Sequence, residues 1–266
     1  MSARLPAAVT FSLEALARHS GGDKPSRDGW GVAFYDGADA CILRQPNAAY
    51  GNPMVSFIET NGPHSKLVIS HIRDASTGTI CLANTHPFSR PLGGRLHSFA
   101  HNGSVVNIFD RPEFLGGEHR PLGETDSEYA FCSLLSKLEP LWSGKNSPTP
   151  TARRDCVEAF AHSLKKFGPA NFLYSDSEYL YAFSDRRRQN DGRFKAPGLH
   201  ILSRHCDGPS GRTQVDGVNV SGQVQSVLLI ASVPLNDEAW QPLTEGELLM
   251  VRHGEVIEAD TIDAQK

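Results

Sequence analysis

Short apolar runs, bounded by glycine, proline, asparagine or aspartate, recur in both halves of the chain. Their length, and the alternation of apolar and polar positions in some of them, are typical of half-buried or fully buried β-strands. In the amino-terminal half these runs lie at 31–35, 41–43, 66–72 and 95–100. In the carboxyl-terminal half they lie at 171–175, 179–184, 199–203, 226–232 and 247–252. The pattern therefore predicts two groups of short strands.

Between these two groups, apolar residues recur every three or four positions, which is the spacing of an amphipathic helix. A helix is predicted over 125–139 and is expected to end at Pro140, and a second is predicted over 152–167, before Gly168. A shorter helix is expected near the amino terminus, with Thr10 as its cap. Strands, then a helical pair, then more strands favour layered antiparallel sheets with helices outside over a doubly wound parallel sheet.

Composition limits the classes of partner. The chain has 266 residues, 39% of them hydrophobic, which is enough for one large domain spanning 1–266. Its formal net charge of -4 gives no general attraction to nucleic acid or to an anionic membrane surface. The apolar runs are far shorter than the roughly 20 residues that cross a bilayer, so no membrane span is expected. The three consecutive arginines at 186–188 are expected to form a solvated loop.

Cysteine usage indicates the redox compartment. The five cysteines are widely scattered and never form a CxxC pair; they are Cys41, Cys81, Cys132, Cys156 and Cys206. An odd number at these spacings fits reduced, buried thiols better than a disulfide framework. A cytoplasmic protein is therefore predicted.

Side chains suited to binding or catalysis are concentrated in five short clusters. In chain order these are DGWG at 28–31, SHIRDAS at 70–76, NTHPF at 84–88, HNG at 101–103 and ETDSE at 124–128. Together they resemble the glutaminase domain of class II glutamine amidotransferases, and most closely its stand-alone YafJ-like group. The resemblance covers essentially the whole chain. It implies an α+β fold of the N-terminal-nucleophile hydrolase type, a four-layer αββα sandwich of antiparallel sheets, with no cofactor and no metal.

The resemblance also implies how glutamine is held. Arg73 corresponds to the family residue that binds the α-carboxylate, and a guanidinium suits that group because its fork bonds both oxygens. Asp126 corresponds to the residue that binds the α-ammonium group. Ser76 and His86 are carried over as further substrate-binding residues. Taken singly, Arg73 could be a surface charge, and Asp126 could merely interact with a helix dipole.

Asn102 and Gly103 correspond to the family's oxyanion hole. The side-chain amide of the asparagine and the backbone N–H of the glycine would stabilise the negative oxygen that develops during attack on an amide. Asn-Gly is also a typical dipeptide of type I′ hairpin turns, so this cluster alone leaves a turn as the alternative.

The beginning of the sequence departs from the family pattern. The resemblance implies a cysteine as first residue of the mature chain, with its thiol as nucleophile and its own α-amine as base. This sequence begins Met1-Ser2, whereas the YafJ-like group has a further short segment that starts Met-Cys. The chain therefore looks shortened, with the nucleophile missing upstream of Met1. A mis-assigned start or trimmed sequence, a true pseudoenzyme, and Ser2 as substitute nucleophile are the three explanations, the last disfavoured by its distance along the strand.

The implied reaction releases ammonia from glutamine or a γ-glutamyl compound, with a separate synthase as a possible acceptor of the ammonia. Two alternatives remain open. A non-catalytic module could bind glutamine or a γ-glutamyl compound through Arg73 and Asp126. A zinc-dependent hydrolase is the other, because imidazole and thiolate are natural zinc ligands. The candidate ligands for zinc, which follow no recognised spacing, are His71, Cys81, His86, His97 and His101.

Overall fold

The computed structural model describes residues 1–11, 28–75, 78–115, 117–189, 191–206, 218–221 and 224–257. Within this part of the chain, no helix is long and apolar enough to cross a membrane. The helices are α1 (Pro53–Asn61), α2 (Asp126–Trp142) and α3 (Pro150–Leu164). The strands are β1 (Ser2–Phe11), β2 (Trp30–Asp36), β3 (Asp39–Gln45), β4 (Ser65–Ile72), β5 (Phe88–Leu92), β6 (Arg95–Gly103), β7 (Ala170–Ser175), β8 (Leu180–Ser184), β9 (Arg187–Arg188), β10 (Phe194–Lys195), β11 (His200–Cys206), β12 (Val218–Ser221), β13 (Gln225–Ala231), β14 (Gln241–Pro242), β15 (Glu247–Arg252) and β16 (Glu255–Val256).

Two antiparallel sheets contain nearly all of these strands. The first has the order β14-β11-β13-β1-β4-β2-β3, with β12 also paired to β1. The second has the order β16-β15-β8-β7-β6-β5, and β9 and β10 form a separate hairpin. The two predicted groups of strands are thus present, but both groups contribute to both sheets. The two groups join where β1 pairs with β13 in the first sheet and where β6 pairs with β7 in the second.

The sheets pack face to face and helices cover their outer surfaces. Small side chains such as Ala33 and Ala182 lie in the apolar layer between the sheets, together with Ile69. On the outer face of the second sheet, Phe99 stacks on Phe131 of α2 with ring centroids 5.6 Å apart. On the outer face of the first sheet, two buried residues of α1 join the core of that sheet. The predicted four-layer αββα sandwich of antiparallel sheets is therefore confirmed.

Two predicted helix boundaries are wrong. Strand β1 continues through Thr10, which pairs with Asn219 of β12, so cross-strand pairing overrides the local signal for a helix cap. The rest of that predicted helix lies outside the described residues. Helix α2 does not end at Pro140 but continues to Trp142. A proline in the last turn removes only one hydrogen bond, and the buried indole of Trp142 offsets that loss.

The second predicted long helix, over 152–167, is present as α3 followed by a 3-10 turn over Lys165–Phe167. Helix α1 has no counterpart among the predictions, because only Val55 and Ile58 of its residues are buried and the apolar stripe is correspondingly weak.

The described cysteines are free thiols in different environments. Cys132 is buried in α2, whereas Cys41 is exposed on β3, which is the edge strand of the first sheet. The prediction that the cysteines are buried therefore holds for Cys132 and is wrong for Cys41, because one face of an edge strand lies against solvent.

Candidate active site

A cavity of about 770 Å³ lies where the end of β4, the end of β6 and the beginning of α2 meet. Met1 lines the same cavity, and the β9–β10 hairpin closes another side of it. All of the predicted site residues that the structure describes contribute to the lining; they are Arg73, His86, Asn102, Gly103 and Asp126. Ser76 lies outside the described residues.

Arg73 follows directly after β4 and is almost completely buried. Its backbone N–H donates to the carbonyl of Gly29 at 2.8 Å. Its guanidinium contacts two backbone carbonyls, that of Gly78 at 3.3 Å and that of Asp28 at 3.5 Å. The carboxylate of Asp28 in turn accepts from the N–H of Ala75 at 2.8 Å. The guanidinium is therefore held in the wall of the cavity by the backbone on both sides of it.

Asp126 is the first residue of α2, where the helix dipole favours a negative charge. One carboxylate oxygen accepts from the N–H of Val105 at 2.6 Å, and the other accepts from the N–H of Ser127 at 2.8 Å. Thr125 caps the helix by accepting from the N–H of Glu128 at 3.2 Å. These bonds, together with one from the Ser127 hydroxyl to Oδ1 at 3.3 Å, fix the carboxylate at the cavity wall, and Oδ2 keeps a further lone pair for a ligand.

The segments that carry Arg73 and Asp126 are tied together by a third segment. Glu124 accepts from the backbone N–H and the hydroxyl of Thr79, at 2.8 and 2.9 Å. The side chain of Asn84 donates to the carbonyl of Thr79 at 2.9 Å and accepts from the N–H of Glu124, also at 2.9 Å. Thr79 adjoins the glycine that contacts Arg73, and Glu124 lies two residues before Asp126. The distance between guanidinium and carboxylate is therefore set by this network.

Asn102 lies at the end of β6, and its side-chain oxygen is 2.8 Å from Nε2 of His71. The same nitrogen is 3.2 Å from the backbone carbonyl of His101. Two acceptors around one ring nitrogen require that nitrogen to carry the proton, so His71 donates from Nε2. The Asn102 amide is then oriented with its oxygen toward His71 and its NH₂ group away from that ring.

Gly103 pairs with Ala170 of β7, so the Asn-Gly dipeptide continues the strand and does not form a hairpin turn. A Cβ atom at this position would lie 1.8 Å from the carbonyl oxygen of Pro169 and 2.7 Å from a ring nitrogen of His101. Any other residue would therefore displace the backbone that lines the cavity.

Three histidines surround this strand end. The rings of His71 and His86 lie 4.1 Å apart, and Nδ1 of His101 lies 2.9 Å from the hydroxyl of Ser127. Burial lowers the pKa of His71 to about 4, and it also lowers the pKa of His86 and of His101. The nearby positive charge of Arg73 acts in the same direction on the pKa of His71 and of His86. All three imidazoles are therefore neutral at pH 7.

The remaining zinc candidates point elsewhere. His97 is buried between the hydroxyl of Tyr174, 2.7 Å from Nδ1, and the carbonyl of Leu92, 3.2 Å from Nε2. The sulfur of Cys81 lies 3.7 Å from the Thr79 hydroxyl, and Cys81 does not line the cavity. Among the described residues, no three histidine, cysteine, aspartate or glutamate side chains are placed to share a metal ion. The zinc hypothesis therefore receives no support from this geometry.

The basic run at 186–188 is not simply a solvated loop. All three arginines line the cavity, and only Arg188 of the three is exposed. Arg186 lies 3.7 Å from the carboxylate of Asp185 and 3.9 Å from that of Glu245. The sequence alone gave no signal that this run faces the same cavity as Asn102, because the contact depends on how the β9–β10 hairpin folds back.

Comparison with known proteins identifies the class of protein to which this chain belongs. Residues 1–266 match the family described as Glutamine amidotransferases class-II, and the chain belongs to that family. YafJ of Escherichia coli (strain K12) is 32% identical over 263 residues, which cover 96% of both chains. Among solved structures, the 2.0 Å crystal structure of a predicted glutamine amidotransferase from Pseudomonas aeruginosa PA01 has a TM-score of 0.68 at 31% identity and covers 97% of both chains.

A more distant solved structure supports the fold alone. The glutamine aminotransferase class-II domain protein from Silicibacter pomeroyi has a TM-score of 0.53 at 20% identity, with 87% of this chain and 94% of that chain covered. The shared architecture is the sandwich of two antiparallel sheets with helices outside, as predicted from the sequence.

Proposed function

We propose that this protein is a glutaminase-type amide hydrolase, which releases ammonia from glutamine or from a γ-glutamyl compound. The observation that carries the proposal is the convergence of a guanidinium, a carboxylate and two amide donors on one cavity. We also propose that residues 1–266 form a single glutaminase domain, since both sheets contribute residues to that cavity.

Recognition of the glutamyl group is assigned to two charged side chains. The guanidinium of Arg73 would bind the α-carboxylate through paired hydrogen bonds, and the carboxylate of Asp126 would bind the α-ammonium group. Because both are held in place by other residues, little side-chain freedom would be lost on binding. His86 packs beneath His71, and its ring nitrogens are buried, so we assign it support of the pocket floor.

The oxyanion hole is assigned to Asn102 and Gly103. Attack on the amide carbon turns the carbonyl oxygen into an oxyanion, which the Asn102 NH₂ group and the Gly103 N–H would stabilise. The Nε2 proton of His71 supports this role, because it binds the Asn102 oxygen and so leaves the NH₂ group as the end available to the cavity.

A thiol nucleophile completes the reaction. The thiolate would add to the amide carbon, the tetrahedral species would expel ammonia as the nitrogen takes up a proton, and water would hydrolyse the resulting thioester to glutamate. The four cysteines whose side chains the structure describes, Cys41, Cys81, Cys132 and Cys156, do not line the cavity. We therefore propose that the thiol belongs to an amino-terminal cysteine placed ahead of Met1, which does line the cavity.

Glutamine turnover and glutamine binding are measured separately to test this proposal. The chain of 266 residues and the same chain preceded by a short Met-Cys segment are compared for ammonia release, and calorimetry follows glutamine binding to both. We expect both chains to bind glutamine and only the extended chain to turn it over. Arg73→Lys should abolish binding because it loses the guanidinium fork, whereas Arg154→Lys, on the outer surface of α3, should not.

Binding without turnover in the extended chain would favour a non-catalytic module that binds glutamine or a γ-glutamyl compound. If neither the chain of 266 residues nor the extended chain binds glutamine, the proposal is overturned. If turnover is observed, a separate synthase chain is the proposed acceptor of the ammonia. We place the activity in the cytoplasm, where the four free thiols of the described residues would stay reduced.

A further inference from the structure

The β9–β10 hairpin presents positive charge to the cavity. Arg187 and Arg188 line it, and Phe194 of the paired strand lies beside them with its ring largely exposed. Arg188 pairs with Phe194 and Arg187 pairs with Lys195 across the hairpin. The ammonium of Lys195 is bound to Asp191 at 2.7 Å, and of the cationic residues of this hairpin Arg187 and Arg188 are the two that line the cavity.

These two arginines have no acidic partner in the described residues. No carboxylate there lies within ion-pair distance of Arg187 or Arg188, in contrast to Arg186 and Lys195. The Nε atom of Arg187 is buried without a hydrogen-bond partner, and one of its terminal nitrogens donates only to the Arg188 carbonyl at 3.3 Å. Burial lowers the pKa of Arg187, and burial followed by the charge of Arg187 lowers the pKa of His200. Partly buried positive charge of this kind is stabilised by an anionic ligand.

The β9–β10 hairpin is anchored to β6, the strand that ends in the proposed oxyanion hole, by one buried side chain. The amide nitrogen of Asn171 donates to the carbonyl of Asn102 at 3.2 Å and to that of Arg186 at 2.8 Å. Gly198 makes room for this side chain, since a Cβ atom there would lie 1.6 Å from the Asn171 amide oxygen. Gln189 holds the other end of the hairpin by donating to the carbonyls of Lys195 and Pro197 at 2.8 and 3.0 Å. The side chain of Asn171 therefore connects Arg186, the residue just before these arginines, directly to the backbone of Asn102 in the proposed oxyanion hole.

We propose that Arg187 and Arg188 form a subsite for an anionic group on the amine side of a γ-glutamyl amide, so that the substrate is a γ-glutamyl conjugate whose leaving amine bears a carboxylate. This inference rests on the proposed function, because Arg73 and Asp126 must first take the glutamyl group. The cavity is in the size range of sites for drug-sized ligands, which leaves room beyond the glutamyl group itself. Phe194 supplies an apolar contact for the carbon atoms of the amine.

A matched pair of ligands isolates the contribution of the carboxylate to binding. γ-Glutamylglycine and γ-glutamylglycinamide differ only in that the first ends in a carboxylate and the second in a neutral amide. Calorimetry with the chain of 266 residues measures binding of both and of glutamine, and needs no turnover. A charge-assisted hydrogen bond to an arginine predicts roughly ten- to a hundredfold tighter binding of the carboxylate form.

Variants in which one arginine is replaced show which residue causes the preference for the carboxylate form. Arg187→Gln and Arg188→Gln should each reduce the preference for γ-glutamylglycine over γ-glutamylglycinamide by more than they change the affinity for glutamine. Arg193→Gln is the matched control, because Arg193 is an exposed residue of the same hairpin and does not line the cavity. Unfolding midpoints of all three variants, compared with the unmodified chain, report whether a loss of binding reflects a loss of folding.

The outcomes separate the two proposals. If glutamine binds and the two dipeptides bind equally well, the anionic subsite is wrong and the glutaminase proposal stands. If the preference is present but survives in both Arg187→Gln and Arg188→Gln, the assignment to these residues is wrong. If neither glutamine nor either dipeptide binds, both proposals are overturned.

Discussion

Stability should fall steeply in mild acid because the site is built on neutral, buried histidines. His71 is protonated easily in the unfolded chain, where its pKa is 6.5, but in the folded protein burial lowers that pKa to about 4. Between these two values the unfolded state binds more protons, so the free energy of unfolding decreases as pH falls from 6.5 toward 4. Above pH 6.5 the contribution of His71 is fully present.

The size of the effect follows from the two pKa values. At pH 5, the difference in proton binding at His71 makes the free energy of unfolding about 2 kcal/mol lower than it is well above pH 6.5. His97, whose pKa burial lowers to about 3, adds a further loss of about 2 kcal/mol at the same pH. His86 and His101 act in the same direction. A domain is typically stable by roughly 5–15 kcal/mol, so this loss is a large fraction of the total.

Urea unfolding at pH 7.5 and pH 5.0 measures the loss, with the free energy taken from the midpoint and slope. His71→Gln keeps a side-chain N–H for Asn102 but removes the titrating ring. It should therefore be less sensitive to pH than the unmodified chain by about 2 kcal/mol. The same substitution at exposed His64 is the control. Equal pH dependence in the His71→Gln variant and the unmodified chain would refute the reasoning.

Three further predictions concern the cavity itself. Asn102→Ala should lower kcat for ammonia release by the extended chain about 100- to 1000-fold with little change in KM, as steady-state kinetics will show, because one oxyanion donor is lost. Gly103→Ala should destabilise the fold by about 1–3 kcal/mol in urea unfolding, because its methyl group meets the Pro169 carbonyl; an unchanged midpoint would contradict the close approach. Asp126→Asn should weaken glutamine binding roughly ten- to a hundredfold in calorimetry, since a charge-assisted bond to the α-ammonium is lost. Asp191→Asn, on the exposed face of the β9–β10 hairpin, should bind glutamine normally.

The sequence predicted the layers of this fold because each layer has its own hydrophobic period. Alternating and continuous apolar runs indicated the strands, and three- to four-residue spacing indicated α2 and α3. Local signals failed where tertiary pairing decided the outcome. Thr10 is a good helix cap in isolation, but β12 pairs with this part of β1. Pro140 is a helix breaker in isolation, but the turn that contains it is fixed by burial of Trp142.

Site residues were predictable where a cluster carried the chemistry and unpredictable where a distant contact did. The clusters around Arg73, Asn102 and Asp126 contain residues that do line one cavity. His71 lies in one of these clusters, yet its donation to Asn102 depends on β4 and β6 coming together from different sheets. Arg187 was assigned to a solvated loop because three consecutive arginines are usually exposed, and the sequence contains no periodic signal for a hairpin that folds back.

The two halves of the cavity are held by separate sets of contacts, and this separation matters for specificity. The glutamyl side is fixed by Glu124, Thr79 and Asn84, residues that bridge sequence separations of up to 45 positions. On the hairpin side, the side chain of Asn171 donates to the backbone carbonyls of Asn102 in β6 and of Arg186. We therefore expect substitutions of hairpin side chains to leave in place the groups that are proposed to hold the glutamyl moiety. Under the two proposals, we expect selectivity for the leaving amine to depend on the hairpin, and glutamyl recognition to depend on Arg73 and Asp126.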